Sequence, residues 1–155
     1  MTKILIVDDD QDTRQLLKIR LESNGYETAF AADAVSAIAV TREEKPDLIL
    51  LDFGLPGGDG VVVMERLKAF PALAHIPIVV VSAREPLATE QRAAAAGAAA
   101  YIQKPIDNDE LLGAIRDALN PAQPVGTGSQ THGRFRWATR HPDGRASVGG
   151  IRRRA

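Results

Sequence analysis

The chain contains no cysteine, so disulfides, thiolate metal sites and a cysteine nucleophile are excluded, and the absence fits a reducing compartment. Long apolar runs are missing as well. The N-terminus offers only Ile4-Leu5-Ile6-Val7 before three aspartates, too short for a secretory signal, and no later stretch approaches the ~18 residues of a membrane span. A soluble cytoplasmic protein with no membrane contact is the expectation. No internal repeat is evident. Charge is deficient in one sign at each end of the chain: residues 1–120 hold 12 Lys and Arg against 19 Asp and Glu, whereas residues 121–155 hold seven arginines against Asp143 alone. The overall charge of −1 conceals a balance of −7 followed by one of +6.

What is present suits one globular core. The 155 residues are 45% hydrophobic and 25% charged, enough apolar surface for a domain that needs no staples. Pro121, Pro124 and the Gly-Thr-Gly-Ser run at 126–129 mark a boundary beyond which hydrophobic periodicity disappears. The expected organisation is a domain over residues 1–120 and a basic, disordered tail over 121–155.

Within the domain, short apolar strands alternate with amphipathic helices. Strands are expected at Lys3–Val7, Glu27–Ala31, Leu48–Asp52, Ile78–Val81 and Ala100–Gln103. Asp12-Thr13 is read as the cap of a first helix carrying Leu16, Leu17 and Leu21 and stopping near Asn24-Gly25; Asp33 caps a second, to about Glu43, with Ala34, Ile38 and Thr41 inward. A third begins after Asp59 with Val63, Met64 and Leu67; a fourth, Leu87–Ala96, has an apolar side of alanine and should be the most loosely anchored. Asp107 and Glu110 form a capping box for the fifth, whose face carries Leu111, Ile115 and Leu119. Five strands alternating with five helices imply an α/β fold, a parallel sheet covered on both faces.

The most informative stretch is 48–60, Leu-Ile-Leu-Leu-Asp-Phe-Gly-Leu-Pro-Gly-Gly-Asp-Gly. Four apolar residues lead into Asp52, as in a buried strand whose tip delivers a carboxylate to the edge where ligands gather in such sheets. The glycines and Pro56 that follow form a loop. The ends of strands one, three, four and five lie along that same edge, which brings Asp8, Asp9, Asp52, Ser82 and Lys104 together. Three neighbouring carboxylates repel unless a cation neutralises them, and hard oxygen ligands suit Mg²⁺. A carboxylate, Mg²⁺, a lysine and a hydroxyl are the parts of a phosphoryl-transfer site: Asp52 attacks phosphorus, Lys104 and the metal offset charge, and Ser82 donates a hydrogen bond.

Ile-Val-Asp-Asp-Asp at 6–10, Leu-Leu-Asp-Phe-Gly-Leu-Pro-Gly-Gly-Asp-Gly at 50–60, Val-Ser-Ala at 81–83 and Ala-Gly-Ala-Ala-Ala-Tyr-Ile-Gln-Lys-Pro at 96–105 together resemble the CheY-like receiver domain of two-component response regulators, over about residues 1–120. The resemblance implies a flavodoxin-like (βα)5 fold with strand order 2-1-3-4-5. It implies Asp52 as phosphoacceptor for a sensor histidine kinase or histidine phosphotransfer protein, with Mg²⁺ held by Asp9, Asp52 and the Gly54 carbonyl and by Asp8 through water. Ser82 and Lys104 would contact the phosphoryl group. Tyr101 would be the aromatic switch with Ser82, the face of helix 4, strand 5 and helix 5 would meet the effector, and the Lys104-Pro105 bond would be cis. Such a protein is a signalling switch and not an enzyme, beyond slow self-dephosphorylation. Gly54 and Arg84 depart from the family at positions that tune phosphoryl lifetime, and the alanine-rich fourth helix departs from the usual partner-facing surface.

Two other readings use different residues. A haloacid-dehalogenase-type phosphatase also uses an aspartyl nucleophile with Mg²⁺, but places a second Asp where this chain has Gly54. A nucleic-acid binder would use the tail, where Arg134-Phe135-Arg136-Trp137 interleaves aromatic and basic residues and Arg152–Arg154 forms a basic run. The tail has no apolar pattern of a folded motif, and about 35 residues are too few for a winged helix, so nucleic acid is not the expected partner.

Overall fold

The computed structural model describes residues 1–55, 60–83 and 86–120. The strands are β1 (Lys3–Val7), β2 (Glu27–Ala31), β3 (Leu48–Asp52), β4 (Ile78–Ser82) and β5 (Ala100–Gln103), and the helices are α1 (Gln11–Glu22), α2 (Ala34–Glu44), α3 (Gly60–Ala69), α4 (Pro86–Ala95) and α5 (Asn108–Leu119). They alternate throughout. All strand pairs are parallel, in the order β2-β1-β3-β4-β5, which is the flavodoxin-like arrangement. The Asp59 cap, Arg84 and the whole of 121–155, including its expected disorder, lie outside the described residues.

The period-two alternation of a strand sorts the core into two layers. Leu5, Val7, Ile49, Leu51, Ile78, Val80 and Tyr101 share a buried cluster with Ala37 of α2, Met64 of α3 and Ala93 of α4. Their neighbours Ile4, Ile6, Leu48, Leu50, Val79, Val81 and Ile102 share the other with Leu17 and Leu21 of α1 and Leu111 and Ile115 of α5. The sheet is therefore covered on both faces, which explains why β1, β3 and β4 are nearly continuous apolar runs.

Local signals set the helix ends, and some differ from expectation. The cap of α1 is Asp10, two residues before Asp12, and its side chain accepts the Thr13 N–H at 3.1 Å. The shift follows from Asp8, whose Oδ1 accepts the Asp10 N–H at 2.9 Å and starts the turn earlier. Leu16 is 48% exposed and lies outside the core. Asp33 caps α2 in a reciprocal box with Ser36, and Asp107 accepts the Glu110 N–H at 2.8 Å at the start of α5. Gly25 and Gly97 sit at φ +90° and +94°, the left-handed conformation that ends α1 and α4 at little cost to glycine. On α4 the inward residues are Thr89 and Glu90 as well as Ala93, so its buried side is more polar than an alanine stripe.

Candidate functional site

Register delivers the site. In the β1–β3 ladder Val7 stands opposite Leu51, so the next residues, Asp8 and Asp52, emerge together where the two central strands end. Asp8 and Asp52 continue the parity of Ile6 and Leu50, and Lys104 that of Ile102, so all three fall on one side of the pleat. The β4–β5 ladder is prolonged by the Lys104 N–H donating to the Ser82 carbonyl at 2.9 Å. The Lys104–Pro105 peptide is cis.

The geometry at this edge is tight. Lys104 Nζ lies 3.1 Å from Asp8 Oδ2 and 3.5 Å from Asp52 Oδ2. The carboxylates of Asp8, Asp9 and Asp52 bring ligand oxygens within 4.8 Å of one another. Asp8 and Asp52 are buried, at 3% and 8% exposure, and Asp9 is exposed. Asp52 Oδ1 accepts the Gly54 N–H at 2.8 Å, so the loop after β3 begins by wrapping back on the acid. Phe53, next to Asp52, is buried on the opposite side with Tyr101 and anchors that turn.

Electrostatics follow from burial and from the mismatch between three acids and one amine. Burial pushes the Asp52 carboxyl above its ordinary range; the Gly54 N–H and the Lys104 charge oppose the rise, and the Asp8 charge adds to it. For Lys104 burial favours the neutral amine, but the charges of Asp52 and Asp8 outweigh it and raise the ammonium above its usual pKa. Three carboxylates beside one ammonium leave a formal excess of two negative charges. An all-oxygen donor set with that excess fits a hard divalent cation such as Mg²⁺.

Of the expected residues, Asp8, Asp9, Gly54, Ser82 and Lys104 are thus brought to one edge, in unequal relation to Asp52. Asp8, Asp9 and Lys104 surround it. Gly54 meets it through its N–H. Ser82 is fully buried at the end of the neighbouring strand, where Asp52 pairs in register with Val81, one residue earlier. Tyr101 is fully buried inside the α2–α4 side of the core. Sequence reasoning missed Arg14, whose Nη1 donates to the Asp8 carbonyl at 2.6 Å. An arginine in the first turns of a helix following an acidic strand end is the only signal that pointed to it.

Comparison with known proteins identifies the family. A family described as the Response regulator receiver domain matches residues 4–116. Sporulation initiation phosphotransferase F of Bacillus subtilis is 36% identical over 117 residues, covering 76% of this chain and 93% of that protein. Response regulator PleD of Caulobacter vibrioides is 36% identical over 114 residues, 74% of this chain and 25% of that protein. The chain thus spans nearly all of some curated relatives and about half or less of others. Among solved structures, a CheY-like response regulator receiver domain protein from Methanospirillum hungatei superposes with a TM-score of 0.72 at 32% identity, over 78% of this chain and 95% of that one.

Proposed function

This chain belongs to the response regulator receiver domain family and has its phosphoacceptor signalling role in two-component systems, and from that premise we propose that Asp52 is the residue that takes the phosphoryl group. The observation that carries the assignment is the Lys104 ammonium set between Asp8 and Asp52, with three carboxylates converging within 4.8 Å at the strand ends. An Asp52 oxygen forms a bond to phosphorus as the bond to the donor, a phosphohistidine nitrogen or the acyl oxygen of acetyl phosphate, breaks and its electrons leave with the donor. In this reading Lys104 neutralises a phosphoryl oxygen and Ser82 donates to another. Asp9, Asp52 and the Gly54 carbonyl would hold Mg²⁺, with Asp8 joining through water. When bound, the ion supplies positive charge against the phosphoryl oxygens.

Receiver domains interact with histidine kinases and with effector domains. For this chain we take the kinase or a histidine phosphotransfer protein as phosphoryl donor in the cytoplasm. The effector face is α4, β5 and α5, with Tyr101 and Ser82 as its switch. The protein is not an enzyme in this reading. Gly54 stands where a phosphatase of the aspartyl type needs its proton donor. Acetyl phosphate with Mg²⁺ should therefore give a slow reaction that leaves one acid-labile and base-labile phosphoryl group per chain. Consumption of many equivalents without retained label would mean a hydrolase instead.

A further inference from the structure

Arg14 is half-buried near the start of α1, and it closes the acidic turn at both ends: its guanidinium donates to the Asp8 carbonyl at 2.6 Å and its backbone N–H to the Asp10 carbonyl at 3.1 Å. With that contact every polar group of Asp8 is engaged. Its N–H donates to the Ala31 carbonyl at 3.1 Å, Oδ1 accepts from Asp10 at 2.9 Å and Oδ2 from Lys104 at 3.1 Å. Asp9, the next residue, is exposed, and its direction is set by the backbone on either side. The Asp8 carbonyl and the Asp9 N–H belong to one planar peptide, so pinning the carbonyl fixes Asp8 ψ and Asp9 φ together.

We infer that Arg14 is a positioning residue for the cation site, holding the Asp8–Asp9 peptide so that the Asp9 carboxylate stays beside those of Asp8 and Asp52. The inference rests on the Mg²⁺ site proposed above. Asp9 is the carboxylate that most needs such support, because the other two are held by Lys104 and by the sheet.

Charge and positioning predict opposite signs, which makes the inference sharp. Removing a cation from beside three carboxylates should strengthen their hold on a dication. Loss of a group that orients a ligand weakens metal binding, commonly by about tenfold or more.

The test is Mg²⁺ titration by calorimetry on the full chain, with Arg14→Ala, Arg14→Lys and Asp9→Ala compared with the wild type after circular dichroism confirms folding. Arg14→Ala should bind Mg²⁺ about tenfold more weakly, and Arg14→Lys, which retains one donor, should recover part of the loss. Should Arg14→Ala fail to fold, Arg14→Lys alone must still bind more weakly than wild type. Wild-type or tighter affinity in the folded Arg14 variants, with Asp9→Ala still impaired, overturns the positioning role and leaves the metal site standing. No Mg²⁺ binding by the wild type, or an Asp9→Ala variant that binds as the wild type does, overturns both.

Discussion

Asp8 and Asp52 share a single ammonium, and the consequences can be read from either partner. Because burial raises the Asp52 pKa in the fold, its ionised form is less favourable there than in the unfolded chain. The contribution of Asp52 to stability is therefore best in acid, declines as pH rises from the unfolded to the folded pKa, and stays least favourable above it. In metal-free buffer at neutral pH, Asp52→Asn should melt a few degrees above the wild type, and the difference should close as pH falls below the carboxylate range. Equal melting curves across pH would contradict the assignment of strain to this acid. Lys104→Met has the opposite effect: it leaves two buried carboxylates without their shared partner, at a cost of about 1–3 kcal/mol in metal-free buffer. Calorimetry should also show a larger Mg²⁺-induced gain in that variant. The acids and Lys104 were legible in the sequence because each ends a recognisable strand. Arg14 was not, since its role depends on a side chain folding back over a turn.

At the scale of elements, strand positions were almost fully legible, because a strand buried on both faces leaves a continuous apolar run with charged or turn residues at its ends. Caps were less so. Three consecutive aspartates followed by Asp12 provide several equivalent cap candidates, and the choice of Asp10 depends on a hydrogen bond from within the turn itself. The inward Thr89 and Glu90 of α4 were hidden by the surrounding alanines, whose uniform run gives no period from which to read a face. Among the described residues α4 has only Ala93 as a fully buried apolar side chain, whereas α5 buries Leu111, Ala114 and Ile115. Hydrogen exchange should accordingly release α4 amides before those of α5, and phosphorylation should shift α4 and β5 resonances; protection of α4 equal to that of α5 would refute the loose anchorage. The start of α3 is constrained in another way. A Cβ on Gly60 would overlap Phe53 Cδ1 and stand 2.8 Å from Phe53 Cα. Gly60→Ala should cost about 1–3 kcal/mol in denaturant unfolding and disturb the turn that follows Asp52.

For the whole molecule, the sheet edge concentrates acid and the last 35 residues concentrate base. Truncation after Asn120 should leave the melting temperature and the response to Mg²⁺ nearly unchanged at physiological salt, because exposed charges contribute little and are screened. A loss of several degrees would place part of the tail inside the folding unit and move the proposed boundary. Among the described residues no helix is long and apolar enough to cross a membrane. The doubly wound order was legible as a class from strand and helix alternation, and in detail from the motif resemblance. Pairing order itself is a matter of tertiary contacts that alternation leaves open. What unites the scales is one claim, that the fold exists to hold Asp52 as an acceptor beside Lys104 and a cation. Its most direct measurement is Mg²⁺-dependent labelling of wild-type and Asp52→Asn protein by acetyl phosphate or a histidine kinase, with the modified residue mapped by mass spectrometry. The account predicts one base-labile phosphoryl group on Asp52 in the wild type and none in a folded Asp52→Asn; undiminished labelling of that variant would contradict it.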